Sequence, residues 1–208
     1  MIRYNVPAAF GEAEYVEKRS RFIGRVWPVE NEAEALARIK EMREKHWDAT
    51  HNVYAYIIRE GGVMRYSDDG EPGGTSGMPT LNVFRSGEIY DVCCVVTRYF
   101  GGIRLGSGGL VRAYSNTAKL ALDAAGTAVM GLWKRQLLSC TYAQFERVRN
   151  GVLSFGGVIE DSDFGTDVLI TALLPEDRDG DFAAWLADQT YGTVTPEYMD
   201  EEFRAVKL

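Results

Sequence analysis

Apolar and polar residues alternate along the first part of the chain in two different periods. Residues 13–29, AEYVEKRSRFIGRVWPV, place charged residues between β-branched and aromatic ones, which predicts a strand with one solvent-facing side that ends at Pro28. Residues 31–47 then follow helical spacing, and Asn31 with Glu34 has the signature of a capping box. The chain is therefore predicted to begin with a strand followed by a helix.

Turn residues divide the middle of the chain into further short elements. Their apolar periodicity and caps predict, in chain order, strands at 50–59 and 63–67, a helix capped by Thr75 or Ser76 and closed by Gly87, a central strand at 89–100, and a helix from Leu110 to Gly126. Strands and helices of this kind, mixed without regular βα alternation, indicate an α+β fold.

The last part of the chain follows a simpler order. Strand and helix patterns alternate there as βαββαβ, which is the ferredoxin-like arrangement and fits in about 70 residues. We therefore predict two α+β domains, residues 1–135 and residues 136–208.

Composition predicts a soluble, cytoplasmic protein. Hydrophobic residues make up 46% of the chain and charged residues 25%, as in ordinary globular proteins. The N-terminus has no apolar run of the kind found in secretory signals, and no segment approaches the roughly 18 apolar residues needed to span a membrane. Cys93, Cys94 and Cys140 have neither disulfide nor zinc-site spacing, so we expect buried thiols.

The chain has a net charge of −7, and this charge is distributed unevenly along the sequence. Residues 1–137 hold 18 Lys and Arg against 16 Asp and Glu, a balance of +2, whereas residues 138–208 hold 5 against 14, a balance of −9. This asymmetry leaves open an anion-binding site on the first domain and predicts an acidic second domain that contacts a protein partner or limits non-specific nucleic-acid binding.

A loop rich in glycine and arginine separates the central strand from the helix that follows it. Free N–H groups at a helix N-terminus bind phosphates, and arginine adds bidentate contacts. The predicted anion or RNA site consists of Arg98, Gly101, Gly102, Arg104, Gly106, Ser107, Gly108, Gly109 and Arg112. Ser107 and Val111 break the Walker A and Rossmann patterns. The alternative is that the glycines only permit positive φ and close packing.

An acidic loop, SDDGEPGG, precedes the short helix. Asp68, Asp69 and Glu71 supply hard oxygen ligands suited to Mg²⁺ or Ca²⁺, but the EF-hand spacing is absent and no metal site is assigned. Ordinary turn formation is one alternative, and ion pairing with Arg98, Arg104 or Arg112 is another. In the last case the acidic residues support the basic loop.

His51 is the candidate for a catalytic base, together with Asp68 and Asp69. Ser67, Thr75 and Ser76 are conceivable hydroxyl partners for its ring, but no spacing indicates a triad. The default expectation for His51 is therefore a hydrogen-bonded structural imidazole, and catalytic residues stay unassigned.

Four segments resemble motifs of the IMPACT family, in its bacterial YigZ-like branch. They are KRSRFIG (18–24), ATHNVYAY (49–56), SDDGEPGGTSGMP (67–79) and VVTRYFGGIRLGSGGLVRAY (95–114). The resemblance implies that the first domain has the fold of domain IV of elongation factor G, of a small-subunit ribosomal protein domain and of GHMP kinases. It also implies a C-terminal ferredoxin-like domain similar to another elongation factor G module.

The resemblance points to translation, because the eukaryotic relatives regulate it. We therefore expect a translation-associated regulatory protein that binds RNA or ribosome phosphate through the glycine/arginine loop. LGSGG at 105–109 is also similar to the phosphate loop of GHMP kinases. An enzyme or sensor for a nucleotide or another phosphorylated small molecule, with Mg²⁺ as a possible cofactor, is thus one alternative. A protein-interaction module without RNA binding is the other.

Overall fold

The computed structural model describes residues 3–207, and the chain folds into two compact units. The first unit comprises residues 4–128 with Lys207, and the second comprises residues 129–206 with Arg3. The division between the units falls between residues 128 and 129, inside a strand, which is seven residues before the boundary expected after residue 135. No helix in the part of the chain that the structure describes is long and apolar enough to cross a membrane.

The first unit is a five-stranded antiparallel sheet with helices on both faces. Its elements are β1 (Tyr4–Pro7), β2 (Gly11–Glu17), β3 (Ser20–Pro28), α1 (Glu32–Lys45), β4 (His51–Ile58), β5 (Val63–Ser67), α2 (Gly77–Ser86), β6 (Val92–Tyr99) and α3 (Ser107–Ala125). Within the sheet the strand order is β2-β3-β6-β4-β5. The mixed α+β class expected from the sequence is confirmed.

The central strand β6 explains how both faces are covered. Cys94 and Val96 pack in one cluster with residues of α2 and α3, whereas Cys93 and Val95 pack with residues of α1 on the other side. A strand buried on both faces is a nearly continuous apolar run, which is why residues 89–100 were readable as a central strand.

The first predicted strand is wrong in one respect, because residues 13–29 form a hairpin of β2 and β3. Lys18 and Arg19 make its two-residue turn with φ of 45° and 67°. Such turns usually contain glycine or asparagine, so two basic residues gave no turn signal. The turn packs closely on Gly101, where a Cβ would lie 2.1 Å from the carbonyl carbon of Arg19. The hairpin turn and the glycine/arginine loop are therefore neighbours.

The second unit has the ferredoxin-like topology. Its elements are β7 (Thr127–Cys140, whose first two residues belong to the first unit), α4 (Tyr142–Ser154), β8 (Val158–Phe164), β9 (Val168–Pro175), α5 (Asp179–Thr190) and β10 (Glu197–Val206). Neighbouring strands in the order β10-β7-β9-β8 are antiparallel. The predicted βαββαβ order is confirmed. The apolar pattern predicts the first of its strands at residues 137–142 and the last at 193–199, whereas β7 starts earlier and β10 ends later.

Candidate functional site

A cleft of about 430 Å³ lies on the first unit where the acidic loop faces the glycine/arginine loop. The start of β4 contributes His51, the acidic loop contributes Glu71, and the end of β6 contributes Arg98. Arg104 from the loop and Ser107 from the first turn of α3 add further polar side chains to the lining. The two stretches that stand out in the sequence therefore meet in one place.

Asp68 has a structural role at the beginning of α2. Its carboxylate accepts hydrogen bonds from the backbone N–H groups of Gly74, Ser76 and Gly77 at 2.8–3.1 Å and from the Ser76 hydroxyl at 2.7 Å. Burial alone would raise the pKa of Asp68, but these hydrogen bonds outweigh it and the pKa is lowered. Asp68 thus holds the acidic loop against the helix as a carboxylate.

Asp69 joins the same loop to β4 and α1. Its Oδ2 accepts a hydrogen bond from the backbone N–H of Asn52 at 2.7 Å, and its Oδ1 pairs with Nη2 of Arg43 at 2.9 Å. Among the described residues no group of three or more His, Cys, Asp and Glu side chains is arranged to hold a metal ion. Of the three acidic residues, only Glu71 lines the cleft.

Glu71 and Arg98 form a buried ion pair at the cleft wall. Nη1 of Arg98 lies 2.5 Å from Oε1 of Glu71, and the side chains are 6% and 3% exposed. Tyr114 donates a hydrogen bond of 2.8 Å to the same oxygen. Burial raises the pKa of Tyr114, and the Glu71 carboxylate raises it further, so this hydroxyl keeps its proton and donates. The pairing expected between the acidic loop and the arginines occurs here.

Arg98 is held on several sides besides the ion pair. Its guanidinium lies over the rings of Phe22 and Phe100, at 5.2 and 5.5 Å from their centroids, and Nη2 is 3.4 Å from the hydroxyl of Ser20. Arg98 therefore acts in the framework of the cleft, and Glu71 compensates its charge.

His51 projects into the cleft beside this pair. Its Nδ1 lies 2.8 Å from the carbonyl oxygen of Asp69, which can only accept, so Nδ1 carries a proton. Its Nε2 faces Oε2 of Glu71 at 3.7 Å. The suggested hydroxyl partners are engaged elsewhere: Ser67 accepts from the Asp69 N–H, Thr75 donates to Pro72, and Ser76 donates to Asp68. None of these three forms a dyad with His51.

The glycines of the loop have separable functions. Gly102 and Gly106 have φ of 84° and 74°, and Gly101 is packed against backbone. Gly106 precedes α3, whose first turn contains Ser107, Gly108 and Gly109 with N–H groups that have no intrahelical acceptor. A Cβ on Gly108 would meet nothing nearer than Nη1 of Arg112 at 3.7 Å. Steric demands explain most of these glycines, and the open α3 N-terminus remains next to the cleft.

Four basic residues without ion-pair partners among the described residues lie in or beside the glycine/arginine loop. They are Lys18 and Arg19 in the hairpin turn, Arg104 in the loop, and Arg112 in α3. Lys18 and Arg112 line a smaller pocket of about 100 Å³ together with Glu17 and Leu105. Leu105 also lines the cleft, so the two depressions are adjacent. The anion site predicted from the sequence included Arg104 and Arg112 but not Lys18 and Arg19 of the hairpin turn.

The second unit carries the acidic surface expected from its composition. Arg135 on β7 pairs with Glu160 on β8 and with Asp200 and Glu202 on β10, at 2.5–3.2 Å. The many other acidic residues of β8 and β10 are exposed. Contact of this acidic surface with a protein partner stays a prediction.

Comparison with known proteins identifies the family of the chain. Residues 18–122, which include every residue of the cleft, match the Impact N-terminal domain, and residues 138–193 match a domain of unknown function, DUF1949. The chain belongs to the IMPACT family. The family resemblance noted in the four sequence motifs is thus confirmed.

Individual relatives extend over both units. The IMPACT family member YvyE of Bacillus subtilis is 36% identical over 88% of this chain and 84% of its own length. The IMPACT family member YigZ of Escherichia coli is 33% identical over 91% and 94%. A crystal structure of a hypothetical protein matches with a TM-score of 0.60 and 32% identity, over 96% of this chain and 98% of the other. The two-domain organisation is therefore shared within the IMPACT family.

Proposed function

We propose that this IMPACT family protein is a translation-associated regulatory protein that binds the phosphate backbone of RNA at the cleft and on the surface beside it. The proposal is carried by the four basic side chains without ion-pair partners among the described residues, Lys18, Arg19, Arg104 and Arg112. Lysine and arginine bind phosphate through charge-assisted hydrogen bonds, to which the N–H groups of a helix N-terminus add. The role in translation follows from what the family resemblance implies.

The spacing of these residues favours a polyanion over a single phosphate. Arg104 lies at the cleft, whereas Lys18 and Arg112 lie at the smaller pocket, and Leu105 separates the two. A ligand with one phosphate engages one of these places. A nucleic-acid backbone, which repeats its charge, engages both, and ribosomal RNA in the ribosome is the proposed source of that backbone.

The test is co-sedimentation with purified ribosomes and ribosomal RNA between about 50 and 200 mM salt. The variant to compare combines Lys18→Ala, Arg104→Ala and Arg112→Ala, and leaves the buried Arg98 intact. Arg38→Ala, Lys40→Ala and Lys45→Ala form the matched control, because they remove the same charge from α1, which packs on the opposite face of the sheet.

Three phosphate contacts on single-stranded RNA correspond to about 2 units of log–log salt slope, at about 0.7 per contact. We expect the site variant to lose this part of the slope and the α1 variant to keep it. Equal loss in the two variants would indicate non-specific attraction, and absence of binding by the unaltered protein at the lowest salt would contradict the proposal.

A second candidate is an enzyme or sensor for a phosphorylated small molecule or nucleotide. Its support is the cleft volume of about 430 Å³, which lies in the range of small-molecule sites. A thermal-shift screen with nucleotides, sugar phosphates and Mg²⁺ tests it, because a ligand at 100 times its Kd adds about 2.7 kcal/mol of stability. Mg²⁺ belongs to this candidate as the ion that accompanies nucleotide phosphates.

A further inference from the structure

His51 and Glu71 each direct one polar atom at the other across a gap in the cleft. Nδ1 of His51 is bonded to the Asp69 carbonyl, and Oε1 of Glu71 is bonded to Arg98 and Tyr114. The remaining atoms, Nε2 and Oε2, are 3.7 Å apart, which is longer than a hydrogen bond. Among the described residues no donor lies within hydrogen-bonding distance of Oε2.

This gap is unusual because the Glu71 side chain is only 3% exposed. Oε2 is the part of this carboxylate that is open to the cleft, so its donor comes from solvent or from a ligand, as a charge-assisted hydrogen bond. The cleft provides access to both facing atoms, since His51 and Glu71 line it. When a ligand occupies the cleft, the missing donor is therefore expected from that ligand.

A hydroxyl group fits the pair of atoms better than a group that only accepts. The hydroxyl proton is donated to Oε2 of Glu71, while the hydroxyl oxygen lies against Nε2 of His51. The hydroxyl thus supplies the donor that Oε2 lacks among the described residues. Arg104 and the N-terminus of α3 line the same cleft, so the hydroxyl belongs to a ligand that also carries phosphate.

We infer that the gap between His51 and Glu71 is a subsite for the ribose 2′-hydroxyl of RNA. The inference rests on the proposed function and adds to it a selection of RNA over DNA, since the 2′-hydroxyl is the group that distinguishes them. Phe100 is 47% exposed at the cleft and offers a ring face on which the adjoining base can stack. In this arrangement Arg104 contacts the phosphate, Glu71 contacts the sugar hydroxyl, and Phe100 contacts the base.

The test compares three 12-nucleotide ligands of the same base sequence: oligouridylate, the 2′-deoxy form and the 2′-O-methyl form. Binding to the full chain is measured by fluorescence anisotropy at about 50 mM salt. We expect the unaltered protein to bind oligouridylate about tenfold more tightly than the other two, which is the effect of one hydrogen bond to a charged group. The 2′-O-methyl form has the RNA sugar pucker without the donor.

His51→Ala removes the ring that flanks the hydroxyl but leaves Oε2 of Glu71 able to accept its proton, so the ratio of RNA to deoxy affinity is expected to fall, with little change in affinity for the deoxy form. His46→Ala is the matched control, because this other histidine is bonded to the Tyr99 hydroxyl and does not line the cleft. Its ratio is expected to stay near that of the unaltered protein. Melting curves of both variants show whether they are folded.

The outcomes separate this inference from the proposed function. Equal affinity of the unaltered protein for the RNA and deoxy forms overturns the hydroxyl subsite and leaves phosphate binding in place. Failure to bind any of the three ligands overturns the proposed function itself. An equal weakening of all three ligands by His51→Ala also overturns the subsite, because the ring then supports the loop without contacting the hydroxyl. If that variant is unfolded, the 2′-O-methyl comparison on the unaltered protein decides the question.

Discussion

Nη1 of Arg98 lies 2.5 Å from Oε1 of Glu71, so the arginine that begins the glycine/arginine loop is neutralised inside its own domain. Arg98, Arg104 and Arg112 have the same chemistry, but only Arg98 is buried. Its function is to fix the cleft wall, and the exposed basic residues are left for a ligand.

Arg98→Ala is therefore expected to reduce stability far more than Arg104→Ala. Removing one partner of a buried ion pair leaves an uncompensated charge and costs about 3–5 kcal/mol, whereas exposed substitutions stay within about 0.5 kcal/mol. Urea denaturation measures both. The double variant Arg98→Met with Glu71→Gln leaves no unpaired charge and is expected to be more stable than Arg98→Ala. Equal free energies of unfolding for Arg98→Ala and the unaltered protein would contradict this assignment.

Asp68→Ala is expected to destabilise the first unit, because the carboxylate accepts hydrogen bonds from the N–H groups that precede α2. The cost is about 1–3 kcal/mol, that of leaving such donors unsatisfied. The pKa of Asp68 is lowered in the folded protein, so its contribution is present above the unfolded pKa of about 3.9 and is lost as pH falls through the folded pKa.

The measurement is the difference in free energy of unfolding between the unaltered protein and Asp68→Ala at pH 7 and at decreasing pH below 4. We expect the difference to shrink on acidification. Asp123→Ala serves as control, because Asp123 lies in an exposed pair with Lys119 on α3. A difference that stays constant down to the lowest pH would show that the carboxylate charge is not what stabilises the loop.

Local patterns in the sequence predicted most of the fold, and the exceptions have physical causes. β6 was readable because a strand buried on two faces is a nearly continuous apolar run. The turn at Lys18 and Arg19 could not be predicted, because these two residues adopt positive φ although neither is glycine or asparagine. The early part of β7 was missed since its exposed and buried residues do not alternate regularly.

The candidate site was predicted as a set of residues but not as an arrangement. Sequence chemistry selected His51, Glu71 and the arginines. Tertiary contacts decide which of the three carboxylates faces the cleft. Asp68 accepts hydrogen bonds at the start of α2 and Asp69 accepts one from β4, so of the three only Glu71 lines the cleft. Tyr114 was not among the predicted site residues, because its hydrogen bond to Glu71 joins positions 43 residues apart in the sequence.

Alanine substitutions are expected to show which glycines of the loop are required for close packing and which can be replaced without loss of stability. Gly101→Ala places a Cβ 2.1 Å from backbone of Arg19 and is expected to cost about 1–3 kcal/mol or more, because backbone has to move. Gly108→Ala meets open space in the first turn of α3 and is expected to leave the Tm unchanged or slightly raised. Thermal unfolding by circular dichroism measures both. Equal stability of the two variants would mean that the turn does not pack on the loop as described.

Tyr114→Phe tests the hydrogen bond that helps to hold Glu71 in place. Near pH 8 we expect a loss of about 1.5–3 kcal/mol, the range for a hydrogen bond to a charged group. Burial, then the Glu71 carboxylate, raises the pKa of Tyr114, so above the unfolded pKa of about 10 the folded state retains a proton that the unfolded state has lost. Stability of the unaltered protein therefore falls as pH rises there, by up to about 1.4 kcal/mol per pH unit from this group.

The phenylalanine variant lacks this titration, so its deficit relative to the unaltered protein should decrease between about pH 9 and 11. Tyr4, whose pKa burial and then Asp91 raise to about 12, is present in both proteins and contributes equally to each. Urea denaturation at several pH values provides the comparison, and Tyr191→Phe, at an almost fully exposed residue, gives the baseline. A stability deficit of Tyr114→Phe that stays constant up to pH 11 would mean that Tyr114 ionises in the folded state as it does in the unfolded state. The hydrogen bond to Glu71 would then be weaker than its length of 2.8 Å indicates.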